Sequence, residues 1–349
     1  MKVDIFKSSK LGQAFDNTSA SYKFYWLLGI LDLLAEKRSE ILPIKDIQAR
    51  MVARAFTSVA YFQLSLGKQD KLQDIIKSMT QKGLKTNATS PVIIAAVKLE
   101  KELINQLDDL VPTRFLSPWI TKTKGLKNAK LTREMEEFAK YSQKTNSPTP
   151  YYIDSVNQLI HMNPAWSAFL LENKVAIEDF TKLRLVRFLE SRNPHTLNIS
   201  MKLQFEIKRS SLADAKKYWD NAIEKAQGEL LNIYTSQPLS KPFAIDHFIP
   251  FSFVAHDLAW NLIPTDQSSN SKKSDKLPEL MKLLKPFARA HHIAIHANKL
   301  NKSKCLDDYQ VAMSVERPQL LELSCNDLTN KLKLLLEPRI MQAKVCGFI

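Results

Sequence analysis

Residues 243–278 read FAIDHFIPFSFVAHDLAWNLIPTDQSSNSKKSDKLP and concentrate the side chains that polar catalysis requires. Asp246 and His247 are adjacent, Asn261 follows fourteen residues after the histidine, and Asn270 nine after that. A carboxylate with an amide oxygen is a hard-oxygen pair suited to Mg²⁺, which keeps several waters and completes its shell with phosphate oxygens. An imidazole, with an ordinary pKa near ~6.5, is a competent general base for water at neutral pH. A cation at a phosphate would stabilise the charge that develops as a phosphodiester is cleaved.

Those side chains need a frame. FAIDH and AWNLIP read as short strands joined by a polar and aromatic loop. Thr265 or Asp266 then caps a short helix, DQSSNSKKSD, which Pro278 closes off. Neighbours on a strand point to opposite sides, so Asp246 can hold an ion while His247 faces a reacting atom. Asn270, one turn into the helix, can return to the side of the ion.

This spacing and strand–strand–helix order resemble the HNH endonucleases, the ββα-metal nucleases. The resemblance rests on Asp246-His247, Ile249-Pro250, Asn261-Leu262, Asn270 and the lysine-rich helix, and covers residues 243–278 only. It implies that His247 is the base that activates water and that Asp246 and Asn270 are divalent-metal ligands. Asn261 completes the site; less often catalytic in the family, it hydrogen-bonds across the connecting loop and fixes the orientation of the base. Asparagine in place of the final histidine is a variant that the family uses. Lys272, Lys273 and Lys276 either hold phosphates near the cut or form a solvated helix face. Many such nucleases add a zinc knuckle of paired cysteines beside the motif. None stands here, so no zinc is expected, and Phe243, Ile245, Phe248, Ile249, Trp260 and Leu262 must support the unit by apolar packing.

The composition of the 349-residue chain is consistent with that reading. Its 50 basic and 36 acidic residues leave a formal charge of +14, which suits a polyanionic partner such as DNA. Half of the excess lies in residues 51–130. A hydrophobic content of 44% excludes wholesale disorder, and only 7 glycines disfavour a fold built on glycine-rich turns. No Walker lysine motif or GxGxxG supports nucleotide hydrolysis or a dinucleotide cofactor. Cys305, Cys325 and Cys346 form no CxxC, which argues against a disulfide framework and fits a reducing compartment. MKVDIFKSSK lacks the apolar core of a signal peptide. The run Phe24 to Leu34 is too short to cross a bilayer and contains Asp32. A cytoplasmic protein with no membrane partner is expected.

The expected fold is mainly α, with a helical N-terminal region and a small ββα-metal unit near the C-terminus. The expected segments are a helical domain over 1–150, a helical connecting region over 151–229, the nuclease unit over 230–300 and a helical extension over 301–349. A linker is placed at NSPTP (146–150) or RNPH (192–195). SYKFYWLLGILDLL is apolar nearly all round and predicts a core helix capped by Thr18 or Ser19. LPIKDIQARMVARAF and PVIIAAVKLEKELINQLDDL continue the helical period. VPTRFLSPWITKTKGLKNAK breaks it and reads as a loop or irregular strand. There Arg114, Lys122 and Lys124 interleave with Phe115 and Trp119. That suits contacts to a nucleic-acid backbone, or else the aromatics anchor the loop to the core. His292 and His296 share a helix face as two metal ligands would, but with no third ligand they are expected to be packed or surface side chains; His256-Asp257 is either a second polar pair near the site or, as expected, structures its loop.

The function expected from the resemblance is a Mg²⁺- or Mn²⁺-dependent DNA endonuclease. It would nick as a monomer and leave 5′-phosphate and 3′-hydroxyl ends. A looser likeness of SYKFYWLLGILDLL and RFLSPW to bacterial HNH proteins places it in restriction or anti-phage defence. Two alternatives stand beside it. One is a nuclease effector active only with other defence-system proteins, and the other is a catalytically idle DNA-binding protein.

Overall fold

The structure, a computed structural model, describes residues 4–16, 18–100, 107, 111–120, 133–135, 137–138, 149–203, 207, 211–301 and 303–349. The chain forms two compact units, Met1–Pro194 with Ile199–Ile207, and His195–Asn198 with Lys208–Ile349. One crossing, at Pro194–His195, falls in the RNPH stretch. Most of NSPTP lies outside the described residues.

The first unit is mainly helical: α1 (Ile5–Ala14), α2 (Tyr22–Lys37), α3 (Ile44–Ala60), α4 (Lys71–Gln81), α5 (Ser90–Leu99), α6 (Val111–Phe115), α7 (Pro164–Glu172), α8 (Lys174–Glu190) and α9 (Ile199–Lys202). Helix α2 is buried along almost its whole length, as its all-round apolarity requires. Its N-cap is Ser21 rather than Thr18 or Ser19, because Ser21 is held by Asp70: its N and Oγ donate to Asp70 Oδ2 at 2.8 and 2.6 Å. Gly29 lets α3 approach closely, since a Cβ there would lie 2.9 Å from Ile47 O. Asp32, the charge inside the apolar run, accepts from Arg54 Nε at 2.7 Å, and Arg54 also binds Glu178 Oε1 at 2.8 Å. This unit also holds a sheet that helical periodicity does not predict. β1 (Ile41–Pro43), β2 (Tyr151–Asp154) and β3 (Leu159–Met162) form an antiparallel sheet in the order β1-β3-β2.

The VPTRFLSPW stretch is helical rather than a loop or strand, with α6 followed by a 3₁₀ turn over Ser117–Trp119. Phe115 and Trp119 are buried, and Phe115 stacks on Tyr151 at 6.3 Å. They are core anchors, while Arg114 is exposed. Lys122 and Lys124 lie outside the described residues.

The second unit contains α10 (Ala213–Ala226), β4 (Ala244–His247), α11 (Phe251–Val254), β5 (Leu262–Thr265), α12 (Gln267–Lys273), α13 (Leu280–Ala297), α14 (Lys304–Met313), α15 (Arg317–Glu322) and α16 (Cys325–Val345). Its core joins Trp219, Phe248, Phe253, Trp260, Phe287 and Leu336. Phe248, the residue after His247, meets Phe287 of α13 with ring centroids 4.1 Å apart, so the hairpin is fastened to a long helix just beside its polar end. Ile249, Trp260 and Leu262 are fully buried, Phe243 nearly so, and Ile245 packs against the same cluster. Among the described residues no helix is long and apolar enough to cross a membrane.

Candidate active site

The framework is a two-stranded hairpin followed by a capped helix. β4 and β5 pair antiparallel, with Asp246 opposite Ile263 and His247 opposite Leu262. β5 is buried throughout, which anchors the pair. Asp266 caps α12: its Oδ1 accepts from Ser269 N at 2.8 Å and its Oδ2 from Ser269 Oγ at 2.6 Å. Asn232 Nδ2 donates to that same Oδ2 at 2.6 Å and to Thr265 Oγ1 at 3.1 Å, tying the helix start to the upstream segment.

The connecting loop is clamped by Asn261. Its side chain is fully buried, Oδ1 accepting from Ile249 N and Nδ2 donating to Ile249 O, both at 2.8 Å. Its own carbonyl accepts from Phe248 N at 2.8 Å. Both amide atoms are thus committed to backbone, and Asn261 does not border the hollow described next. Its side chain holds the loop in place.

Asp246, His247 and Asn270 border one polar hollow of about 220 Å³, together with Ser271, Ser274 and Asp275. Asp246 and His247 share it despite being strand neighbours because the hollow lies at the end of β4, where pairing stops at His247. Asp246 is buried. Tyr234 Oη donates to its Oδ2 at 2.6 Å, and Lys273 Nζ stands 3.3 Å from its Oδ1. Burial pushes the Asp246 carboxyl above its ordinary range, while the Lys273 ammonium and the Tyr234 hydroxyl pull against that shift. Burial and the neighbouring carboxylate push the Tyr234 phenol up, so it remains a donor.

Lys273 differs from the phosphate-holding expectation. Its ammonium is turned inward, donating to His247 O at 2.6 Å as well as to Asp246, and only 7% of its side chain is exposed. Lys272 and Lys276 are exposed. His247 Nε2 lies 2.8 Å from Asp257 Oδ1, and Nδ1 has no hydrogen-bond partner among the described residues. His256, beside Asp257, is different: burial, then the nearby His247 and Arg339, lower its pKa to about 4.

Two contributors were not singled out from sequence: Tyr234 and Asp275 carry no local signal. Asp257 belongs to the His-Asp pair read from sequence as loop structure or a second polar pair near the site, and the return of the loop brings it to His247. His292 and His296 lie on α13 with their Nε2 atoms 3.2 Å apart. Among the described residues no cluster of three His, Cys, Asp or Glu side chains is placed to hold a metal. The hollow instead offers the carboxylates of Asp246 and Asp275 and the amide of Asn270, a hard-oxygen set that suits an ion whose other ligands are water and phosphate.

Residues 232–279 match the family model described as HNH endonuclease. The chain carries an HNH endonuclease domain. No curated protein and no solved structure matches the chain. The HNH match begins at Asn232 and so takes in Tyr234, the donor to Asp246, and it ends just beyond the lysine-rich helix. All the polar atoms that frame the hollow therefore belong to the HNH domain, and α13, against which Phe248 packs, lies outside it.

Proposed function

We propose that the protein is a divalent-metal-dependent DNA endonuclease of the HNH type. The observation that carries this reading is the meeting of Asp246, His247 and Asn270 around one hollow, with the imidazole held from behind by Asp257. Asp246 and Asn270 are the side chains that would hold the ion, Mg²⁺ or Mn²⁺. When bound, it supplies positive charge to a phosphate as negative charge builds on it.

The remaining work falls to the chain. Asp257 accepts the Nε2 proton of His247, which fixes the tautomer and leaves the Nδ1 lone pair as the base. Nδ1 takes a proton from water, and the water oxygen attacks phosphorus in line with the 3′ oxygen. The P–O3′ bond then breaks, leaving a 5′-phosphate and, once the departing oxygen is protonated, a 3′-hydroxyl. The resulting imidazolium faces the Asp257 carboxylate, which stabilises it. Tyr234 and Lys273 hold Asp246 in place, and Asn261 holds the loop. A single hollow reaches one strand, so a monomer nicks.

The test is nicking of supercoiled plasmid by the parent and by His247→Ala, with Mg²⁺ and with chelator. The parent should nick only with the ion. The variant should lose about 10²–10⁴-fold in rate while still binding DNA. A variant that cuts as fast as the parent removes His247 as the base.

A further inference from the structure

Helix α13 carries a cationic face that the catalytic hollow does not use. Lys282, Lys285, Arg289, His292 and His296 recur at steps of three and four residues, which places them along one side of the helix, and Lys299 follows just beyond its end. Lys282, Lys285, Arg289 and Lys299 are exposed, and the two histidines are half-buried. The opposite side sends Leu284, Phe287, His291 and Ile295 into the core.

The stripe is unneutralised. No acidic residue stands between Glu279 and Asp307. Two other lysines of this unit show the alternative: Lys241 pairs with Glu224 at 2.6 Å, and Lys273 with Asp246. Among the described residues none of the six stripe side chains has an ion pair. Glu229 lines a hollow with Lys285 and Arg289 yet pairs with neither. The histidines meet each other and the backbone rather than a carboxylate, His292 Nε2 lying 3.2 Å from His296 Nε2 and 3.1 Å from Leu323 O, so the charge of the face is that of Lys282, Lys285, Arg289 and Lys299. Like charges at such spacings destabilise a helix by ~0.2–0.5 kcal/mol per pair, whereas interspersed acids would stabilise it. A face arranged in this way is complementary to a polyanion.

We propose that this side of α13 is a second contact surface for duplex DNA, gripping phosphates that flank the cleaved position without reading sequence. The choice of DNA over other polyanions rests on the endonuclease reading above. At ~1.5 Å per residue the stripe from Lys282 to His296 extends about 21 Å, which matches roughly six base pairs at ~3.4 Å each.

The experiment compares the full chain with K282E/K285E/R289E and with His247→Ala. Binding of a fluorescent duplex longer than the stripe is followed by anisotropy over a range of salt, and nicking is measured at saturating DNA. The triple variant should bind at least about tenfold more weakly, with a log K against log salt slope smaller by about 3, one unit for each lost phosphate contact. Its nicking at saturation should be retained. His247→Ala should show the converse, parental affinity and slope without cleavage. Parental affinity and slope in the triple variant would overturn the surface while leaving the nuclease reading standing. Weakened binding by the triple variant of a parent that never nicks would support the surface and sink the nuclease reading. Binding to phosphatidylserine vesicles through these residues, with DNA affinity unchanged by the triple variant, would assign the stripe to a membrane surface instead.

Discussion

The Nε2 of His247 lies 2.8 Å from Oδ1 of Asp257, a residue ten positions further along the chain. The intervening segment makes this contact possible by turning back on itself. α11 ends at Ala255, which adopts a left-handed φ of 52°, and Asn261 clamps the far side of the loop to Ile249. Two residues of the same loop thus act on the imidazole, one directly and one through the backbone.

Asp257 should therefore behave as a positioning residue. Asp257→Asn keeps the shape but lets the imidazole adopt the wrong tautomer, so single-turnover nicking should slow by about 10–100-fold. DNA affinity and the Mg²⁺ concentration for half-maximal rate should stay at parental values. A shifted metal requirement would mean that Asp257 acts on the ion instead.

Lys273 should matter for stability as well as for the site. Removing its ammonium leaves Asp246 buried without its cation, a loss of about 3 kcal/mol for a pair so enclosed. Lys273→Ala should lower the thermal midpoint in the presence of chelator. Added Mg²⁺ should then raise the midpoint of the variant more than that of the parent, because the ion replaces the missing charge. Equal metal-induced shifts in differential scanning fluorimetry would contradict this.

Asn261→Ala removes two buried hydrogen bonds and strands the N–H and C=O of Ile249. Each stranded group costs about 1–3 kcal/mol, so urea unfolding should show a loss of at least about 2 kcal/mol. A variant with parental stability would show that water replaces the amide at no cost.

Acid should weaken the second unit through His291. This side chain is fully buried between Phe287, Trp219 and Tyr309, and burial lowers its pKa to about 3. The folded pKa lies below the unfolded value of ~6.5, so unfolding takes up a proton. The stabilisation is complete above ~6.5 and declines by up to roughly 1.4 kcal/mol per pH unit as pH falls towards 3. His291→Gln should be less stable at pH 7 yet show a flatter decline across that window in urea titrations. An unchanged slope would place the acid sensitivity elsewhere.

Much of the site is legible in the sequence. Asp246, His247, Asn261 and Asn270 stand at spacings that a short strand, a second strand and a capped helix convert directly into neighbours, because each element is locally specified. The apolar residues of both strands face a core, and Asp266 is a good N-cap followed by a helix stop. The core helix α2 is legible for the same reason, since apolarity on every side leaves burial as its only stable place.

Other features have no local signature. Tyr234 reaches Asp246 from twelve residues upstream, and the β2–β3 hairpin finds its third strand more than a hundred residues away at Ile41–Pro43. Lys273 looks like its neighbours Lys272 and Lys276, yet it alone of the three turns inward to Asp246 and His247 O.

The chain alone determined that Asp246, His247 and Asn270 come together, because short-range periodicity and capping act within a few residues of each of them. Only the tertiary structure decided what each one contacts there: which lysine is consumed as a counter-ion, which aspartate meets the imidazole of His247, and which asparagine holds the loop. Those assignments depend on which charges are buried together. Removing an ion pair or an amide from water is costly unless a partner arrives, and the partner's arrival is a property of the packed whole.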